Sequence, residues 1–437
     1  MPGFKVIHDG VHGSVRLEGV FLNIFERPEM QRLHGVHQLG LAYLVFPGAN
    51  HTRLEHSLGT FHIAGMMASA LELPTEEKRR VLAAALLHDL GHPPFSHTLE
   101  AVIEDRLGLT HMDLTRSIIF GDSKVVPDSA KDVLGEMGPI SELLDAAGID
   151  PEVVADIIVS PSGADGFGQS QLMVEGSQAH FGRKDYMRQI IHGPVDADQM
   201  DYLLRDAHYT GVAHGTIDLD RLLQTIGVFH GDLVVDKGGV VAVEGLLVAR
   251  ALMYTSVYFH KTVRIAEMML CKAVENADES VLRNIQMDTD CSLSEKLIAA
   301  GGDSRRIMMM LRYRKLYKKA LSITTGEIKE KQLDRLLALT DYRERRSMEA
   351  EIAEEAGIRT SDVILDVPER ELLISEPRIG KTEVPILNGD RVKPLTKYSP
   401  IAKALQSRSV HDWAVMVSTP ANHRDVVEEA AERVLFS

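Results

Sequence analysis

Two stretches of helical periodicity joined by a short break restrict the fold more than any other feature of the sequence. Apolar residues recur at helical spacing over residues 58–73, Pro74 interrupts them, and the pattern resumes over 76–88. The second stretch has Glu in its first turn and contains neither Gly nor Pro. A helix of about 16 residues spans roughly 24 Å, so the second helix returns to where the first began. We therefore predict a helical hairpin that brings His56 and His88 close together.

The remaining pattern predicts a mainly α protein with a small β-hairpin and a smaller C-terminal α+β lobe. Further helices are expected near residues 17–35, 97–107, 111–120, 130–147, 197–207 and 218–227. The β-hairpin is expected from β-rich runs at 227–230, 233–236 and 240–243. One long helix is expected to follow at 244–275.

The C-terminal third has a different pattern. Residues 305–356 are highly charged and helical in composition. The α+β lobe is predicted from apolar runs at 363–368, 371–375 and 413–419 and a terminal helix at 422–434. Residues 160–184, rich in Gly, Ser and Gln, predict a loop or lid. We divide the chain into a helical core at 1–280 and a C-terminal helical and α+β region at 281–437.

Composition excludes several classes of protein. The chain of 437 residues is 44% hydrophobic and 25% charged, and it lacks the run of about 18 uncharged apolar residues that a membrane span needs. The first residues carry no basic and apolar leader, so a cytoplasmic protein without a membrane partner is expected. Cys271 and Cys291 match no zinc or redox spacing. A net charge of -15 disfavours broad binding to nucleic-acid phosphates but not a locally basic pocket for a small anion.

Histidine is concentrated in one part of the chain. Seven of the 19 histidines lie between His51 and His111. Of the three His-Asp dipeptides, only His88-Asp89 lies beside other candidate ligands, because the helical hairpin brings His56 to the same end. Two imidazoles and a carboxylate suit one divalent ion such as Mn, Fe, Co, Ni, Zn or Mg.

A fourth ligand is expected from the string VDADQMDYLLRD at 195–206. It offers four carboxylates on one predicted helix, at Asp196, Asp198, Asp201 and Asp206. Such crowding is costly unless a cation or a basic ligand compensates it, although a helix cap and solvated carboxylates are the simpler alternative. A metal held here would acidify water and polarise a phosphoryl oxygen, as phosphate-ester hydrolysis requires.

Basic and proton-transferring residues flank these candidate ligands. Arg53 could hold a phosphate, His111 is a candidate proton donor to a leaving oxygen, and His92 and His97 follow the His88-Asp89 dipeptide closely. These residues favour an enzyme that acts on a phosphate ester.

Seven strings in the first 270 residues resemble, in the same order, the HD-domain deoxynucleoside triphosphate triphosphohydrolases. They are KVIHDGVHG at 5–13, QRL at 31–33, QLG at 38–40, VFPGANHTRLEHSLG at 45–59, HDLGHPPFSH at 88–97, VDADQMDYLLRD at 195–206 and a looser RALMYTSVYFHK at 250–261. The resemblance implies an HD-domain helical core. It also implies hydrolysis of a dNTP at the α-phosphorus, with release of a deoxynucleoside and inorganic triphosphate.

The resemblance also implies roles for individual residues. The implied metal ligands are His56, His88, Asp89 and Asp198. The implied phosphate-binding and proton-transfer groups are Arg53, His92, His97 and His111, with Glu100 where relatives have a supporting aspartate. The implied substrate contacts are Gln38 and Leu39 at the sugar edge, Asp206 at the 3′-hydroxyl, Tyr202 and Tyr258 on the deoxyribose, Arg250 at the base or a phosphate, and Asp196, Gln199 and Tyr254 nearby. Gln199 stands where close relatives have a phosphate-binding lysine, and Tyr254 where they have a histidine.

Partners follow from the same resemblance. It implies a homo-oligomer, dimeric or tetrameric, a nucleotide activator and additional Mg bound with nucleotide. Glu26 and His34 occupy positions at which vertebrate-type members use Asp and Arg to recognise a guanine nucleotide. Two alternatives stay open: a phosphohydrolase of nucleoside monophosphates or other phosphoesters, and a scaffold that binds nucleotide or single-stranded nucleic acid. The string RIGKT at 378–382 lacks the first glycine of a P-loop and is interpreted as a turn.

Overall fold

The computed structural model describes residues 3–159, 186–324, 327–328, 335–367, 383–406 and 413–436. The lid predicted at 160–184, the apolar run at 371–375 and the RIGKT string lie outside the described residues.

The protein is mainly α-helical, as expected. The helices that start before residue 200 are α1 Val20–Phe25, α2 Pro28–Gln31, α3 Arg53–Ala70, α4 Thr75–Leu87, α5 Ser96–Leu107, α6 His111–Phe120, α7 Lys131–Leu134, α8 Ile140–Ala146, α9 Pro151–Ile158, α10 Tyr186–His192 and α11 Ala197–Thr210. The later helices are α12 Leu219–Thr225, α13 Val240–Met253, α14 Lys261–Glu275, α15 Asp290–Ala299, α16 Gly302–Arg312, α17 Tyr342–Ala356, α18 Pro400–Gln406 and α19 Arg424–Phe436.

Three small sheets accompany the helices. The strands are β1 Phe4–Asp9, β2 Gly13–Glu18, β3 Ile226–Phe229, β4 Asp232–Asp236, β5 Lys318–Ile323, β6 Ile364–Asp366, β7 Pro385–Asn388, β8 Arg391–Pro394 and β9 Val415–Thr419. The first sheet is the antiparallel hairpin β1-β2, the second has the order β3-β4-β7-β8, and the third has the order β5-β9-β6. Only the pairing of β4 with β7 is parallel among the named strands of the described residues.

The predicted helical hairpin is formed by α3 and α4. Thr52 begins α3 with a capping box, since its side chain accepts from the Glu55 amide and Glu55 bonds back to the Thr52 amide. Both helices bury apolar side chains in the main core, including Ile63, Met67 and Leu86, each fully buried. The antiparallel packing places the start of α3 beside the end of α4.

The prediction of a strand at 240–243 is wrong, because α13 begins at Val240. Val243, Leu246 and Leu247 are fully buried at helical spacing, so burial on one helix face overrides the β-branched run. The prediction of one helix at 244–275 is also wrong, because a π-helical turn at Tyr254–Tyr258 follows α13. A new helix, α14, begins after His260, whose side chain accepts from the amide of Thr262.

Three other helix predictions are corrected in part. The region 17–35 contains the end of β2, α1, α2 and a 3-10 turn at Arg32–Gly35 in place of a single helix. The region 130–147 is divided between α7 and α8. Strand β5 interrupts the region 305–356, since its residues pair with β9.

The C-terminal lobe packs α17 and α19 on the sheet β5-β9-β6. Its core includes Ile352, Leu365, Val415 and Val427, all fully buried. The segment of β7 and β8 instead joins the main core, because Val235 of β4 pairs with Ile386 of β7. The boundary at residue 280 stays a prediction, and this strand pairing is a contact that crosses it.

One helical stretch of the described residues, Lys237–Tyr258, is long and apolar enough to cross a membrane by length and composition. Half of its most apolar window is buried inside the protein, as in the core helix of a globular domain. This burial accounts for its apolar composition without a membrane.

Candidate metal centre

Three helix ends bring the expected metal ligands together. His56 lies in the first turn of α3, His88 ends α4 and is followed by Asp89, and Asp198 lies in the first turn of α11. The ligand atoms of His56, His88 and Asp198 all lie within 4.8 Å of one another. The two Nε2 atoms are 3.3 Å apart, and Asp198 Oδ1 is 2.9 Å from His56 Nε2.

The hydrogen bonds of both imidazoles point their Nε2 atoms at this position. His88 Nδ1 donates to the Ala85 carbonyl over 2.8 Å, and His56 Nδ1 donates to Asp201 Oδ2 over 2.7 Å. In the neutral rings the two Nε2 lone pairs would then face each other, which a shared cation relieves. The 3.3 Å between the two Nε2 atoms is short enough for one cation to bind both nitrogens. The nitrogen and oxygen donors therefore fit a divalent metal ion.

A proton competes with a cation for His56. Burial lowers the pKa of this imidazole, but its hydrogen bonds to Asp198 and Asp201 prevail and raise the pKa to about 10. Because metal binding requires an unprotonated Nε2, a cation must displace a tightly held proton.

Asp89 lies at the edge of the ligand group. Its Oδ1 is 3.3 Å from His88 Nε2 and 3.2 Å from His92 Nε2. Its Oδ2 accepts a 2.7 Å hydrogen bond from Arg53 and is 3.9 Å from His56 Nε2. Despite burial, the neighbouring His88 and Arg53 hold the pKa of Asp89 well below its usual range. The carboxylate is therefore ionised, as a metal ligand must be.

A pair of stacked histidines extends from the ligand group. The rings of His92 and His111 lie 4.2 Å apart at 13°. Burial and the nearby Arg53 lower the pKa of His92 well below its usual value, so this ring is neutral. His111 Nδ1 is 2.8 Å from Glu100 Oε1, so the glutamate orients the ring as the aspartate of relatives was expected to.

His111 and Glu100 also line a small cavity of about 10 Å³. Its other lining residues are Pro93, Ile103, Leu109 and Leu114. His97 lies at the start of α5, but its side chain is outside the described part of the structure.

An aromatic group begins at Tyr202, one turn after Asp198 on α11. The π-helical turn brings the rings of Tyr254 and Tyr258 to 5.2 Å, and Tyr202 lies 6.1 Å from Tyr258. The guanidinium of Arg250 lies 5.4 Å from the centre of the Tyr254 ring. Four expected substrate contacts therefore form one cluster, and the π-helical turn was not predicted.

Asp206 has both carboxylate oxygens engaged by protein side chains. Its Oδ2 accepts a 2.6 Å hydrogen bond from the Tyr258 hydroxyl, and Oδ1 lies 2.7 Å from His51 Nε2. His51, which the sequence had not singled out, is 1% exposed and stacks on Tyr209 at 4.7 Å. A ligand hydroxyl would have to use a remaining lone pair of this carboxylate.

The remaining expected substrate residues lie near the start of α11 and in the segment before α3. Asp196 caps α11 by accepting from the Gln199 amide over 2.7 Å. Gln199 is 2% exposed, and its Oε1 has no hydrogen-bond partner among the described residues. Gln38 Oε1 is also buried without one, and Leu39 packs half-buried against the core.

Sequence reasoning left one residue of this centre without a role. Asp201 was among four acidic candidates, but its place as the hydrogen-bond acceptor for His56 was not identified. Its other partners, His12 and Arg205, are 189 and four residues away in sequence. The only sequence signal that included His12 was the KVIHDGVHG string, and this string did not indicate a role for the residue.

Two family models match the chain. The HD domain model matches residues 53–206, which include the candidate ligands, and the model of the HD associated region matches residues 217–436. HD domains bind divalent metal ions, as the donor set of this site would.

The chain is similar to several known proteins. It is 33% identical to an uncharacterised protein of Methanocaldococcus jannaschii over 95% of this chain and 79% of that protein. It is 28% identical to the human deoxynucleoside triphosphate triphosphohydrolase SAMHD1 over 83% of this chain and 62% of that protein. A crystal structure of a hypothetical protein from Aquifex aeolicus covers 98% of this chain with a TM-score of 0.66 and 26% identity.

Proposed function

Because this chain belongs to the HD-domain phosphohydrolase family, we propose that it hydrolyses deoxynucleoside triphosphates to deoxynucleosides and inorganic triphosphate. The observation that carries the proposal is the adjacency of three groups: the His56, His88 and Asp198 cluster, the stacked His92 and His111, and the tyrosines around Asp206. The similarity to SAMHD1 supports this choice of substrate.

The metal site supplies the hydrolytic chemistry. His56, His88, Asp89 and Asp198 would hold one divalent cation, which provides acidified water and polarises a phosphoryl oxygen. The hydrogen bonds of the imidazoles to Ala85 and Asp201 fix the ring orientations beforehand, so little reorganisation is needed on binding.

The neighbouring side chains handle phosphate charge and protons. Arg53 is fixed by Asp89 and presents a permanent positive charge beside the metal ligands. His111, oriented by Glu100, is placed to give a proton to the leaving 5′-oxygen of the deoxynucleoside. Neutral His92 lies between these groups, and its ring N–H could donate a hydrogen bond to the α-phosphate.

The aromatic side favours a deoxyribose. Tyr258 donates to Asp206, and the edge-on rings of Tyr202 and Tyr258 fill the space beside that carboxylate. A sugar whose 3′-hydroxyl bonds to Asp206 would meet these rings at its 2′-position. An added 2′-hydroxyl would then be rejected by about 100-fold, the scale of steric selection in apolar pockets.

The proposal includes the other expectations drawn from family likeness. These are a homo-oligomer, a nucleotide activator and additional Mg bound with nucleotide. A cytoplasmic location and no membrane partner, which were expected from the composition, are also part of the proposal.

The test is product analysis of the metal-loaded protein. Each dNTP and each NTP is incubated separately, and anion-exchange chromatography scores nucleoside and triphosphate. We expect stoichiometric deoxynucleoside and triphosphate from dNTPs, little turnover of NTPs, and none in a folded His88→Ala/Asp89→Ala variant. Equal turnover of NTPs, or activity that survives in this variant, contradicts the proposal.

A second candidate is a phosphohydrolase of nucleoside monophosphates. Gln199 favours it, because an uncharged side chain stands where relatives place a lysine on the triphosphate. Release of inorganic phosphate from dNMPs, with no triphosphate from dNTPs, would establish this activity in place of the first.

A further inference from the structure

The β1-β2 hairpin at the N-terminus is connected to the metal centre by a network of buried, charged side chains. Asp9 ends β1, and its Oδ1 accepts from the amides of Val11 and His12 over 2.9 and 2.8 Å. These bonds fix the turn and direct the His12 ring inward, where its side chain is 5% exposed. The Oδ2 of Asp9 accepts a 2.8 Å hydrogen bond from Arg205 of α11.

Asp201 connects this hairpin to His56. Its Oδ1 accepts from His12 Nε2 over 2.6 Å and from Arg205 over 3.0 Å. Its Oδ2 accepts from His56 Nδ1 over 2.7 Å and from Arg205 Nε over 2.8 Å. A carboxylate has about four lone-pair positions, so this fully buried group has all of them occupied.

The site is built to take this carboxylate. Gly59 of α3 faces Asp201, and a Cβ at that position would lie 1.9 Å from Asp201 Oδ1. The carboxylate therefore occupies the space that a side chain of α3 would fill. Since its plane is fixed by Arg205 and His12 together, the direction of the His56 ring depends on both partners.

We propose that Asp201 and His12 are positioning residues for the metal site, and that docking of the N-terminal hairpin and metal binding stabilise each other. The inference rests on the proposed metal-dependent function. Without His12, one lone pair of Asp201 is unfilled, and the carboxylate can tilt about the Arg205 fork. His56 Nε2 then no longer points at the position shared with His88.

Thermodynamic linkage makes the coupling reciprocal. If the docked hairpin raises metal affinity by some factor, bound metal must favour docking by the same factor. Loss of a group that orients a metal-bound histidine typically weakens metal affinity about 10- to 100-fold. The amide hydrogens of residues 4–18 should therefore exchange at least about 10-fold more slowly when metal is bound.

The experiment compares His12→Phe with His12→Gln in the full chain. Phenylalanine fills the space of the ring but cannot donate to Asp201, whereas the glutamine amide can reproduce the Nε2 donor. His8→Phe is the matched control, because His8 lies on the same hairpin and is exposed. Mn²⁺ affinity is measured by titration calorimetry, coordination by the Co²⁺ absorption spectrum, and hairpin opening by hydrogen exchange with mass spectrometry.

We expect His12→Phe to weaken Mn²⁺ binding about 10-fold or more, to alter the Co²⁺ spectrum and to abolish the metal-dependent slowing of exchange over 4–18. His12→Gln and His8→Phe should stay close to wild type in all three measurements. The inference is overturned if His12→Phe binds Mn²⁺ with unchanged affinity, or if Mn²⁺ does not change the hydrogen-exchange rates of the wild-type hairpin. The proposed function stands in either case. Failure of the wild type to bind any divalent cation refutes the metal site itself.

Discussion

Helix α14 and the metal centre both bury several charged side chains, but they neutralise them differently. On α14, Arg264 forms hydrogen bonds of 2.9 to 3.2 Å with Asp366 of β6, and Lys272 pairs with Glu349 of α17. Each cation therefore has a carboxylate partner from the C-terminal lobe. Glu349 also accepts from the Leu365 amide over 2.9 Å, which joins the helix to the sheet.

The metal centre leaves negative charge in excess. Four carboxylates, those of Asp9, Asp89, Asp198 and Asp201, share only two guanidinium groups within the hydrogen-bonded cluster. The imidazoles add positive charge only when they bind protons. A proton on His56, whose pKa is raised to about 10, balances one of the two excess charges, and a divalent cation that displaces it would balance both.

Excess carboxylate also surrounds α14, where Glu267 lies 3.7 Å from Arg264 and Glu275 lies 3.4 Å from Lys272. What distinguishes the metal centre is therefore the convergence of imidazole and carboxylate donor atoms on one position.

The comparison requires that the ion pairs of α14 stabilise the fold. Lys272→Met tests this requirement and has the largest expected effect of these predictions. The substitution leaves Glu349 buried without its cation, which should lower the free energy of unfolding by about 3–5 kcal/mol. Urea denaturation measures it, and turnover per folded molecule should stay near wild type.

A double variant is the control for that prediction. Lys272→Met/Glu349→Gln removes both charges but keeps an oxygen that can accept from the Leu365 amide. Glu275, the other carboxylate beside Lys272, keeps Arg346 at 3.7 Å, so most of the lost stability should be recovered. If the single and double variants unfold at the same urea concentration, the pair is not what stabilises this interface.

The opposite behaviour is expected beside the metal centre, where His111→Gln should change rate and not stability. Loss of a proton donor should lower kcat about 100-fold, with little change in melting temperature or Mn²⁺ affinity. Steady-state kinetics of the metal-loaded protein measures it.

The exposed His8→Gln variant serves as its control. A His111→Gln protein that keeps wild-type kcat would remove this residue from the chemistry and leave His92 as the nearest alternative.

The smallest expected effect compares two glycines of α3. Gly59→Ala places a methyl group 1.9 Å from Asp201 Oδ1, so the carboxylate must move, at a cost of about 1–3 kcal/mol. Gly65→Ala meets only Leu82 Cδ2 at 3.4 Å and should be neutral or stabilising by up to about 1 kcal/mol. Thermal unfolding of the two variants decides, and equal melting temperatures would show that Asp201 tolerates displacement.

Local patterns predicted much of the helical core. The break at Pro74 and the apolar periodicity on either side predicted α3 and α4, because amphipathic spacing fixes which face of a helix is buried. The same reasoning was wrong at 240–243, where β-branched residues begin α13. Intrinsic propensity is weak there compared with the burial of Val243 and Leu246 in the main core.

The site shows the same division. His56 and His88 could be named because ligand chemistry restricts residue types and helix length restricts where the ends of a hairpin meet, whereas Asp198 was chosen among four carboxylates by the family resemblance. The place of His12 could not be derived, since it depends on the docking of a two-stranded hairpin that no periodicity in the first 20 residues specified. The π-helical turn at Tyr254–Tyr258 was missed because its extra residue leaves no mark on an apolar helix.

The sequence alone predicted which residues could bind a metal ion and that they lie at helix ends, because side-chain type and hydrophobic periodicity are local properties. The tertiary structure decided which carboxylate orients which imidazole, and that Asp201 does so for His56 with help from His12. Those hydrogen bonds join side chains up to 189 residues apart, so their geometry exists only after the core has packed.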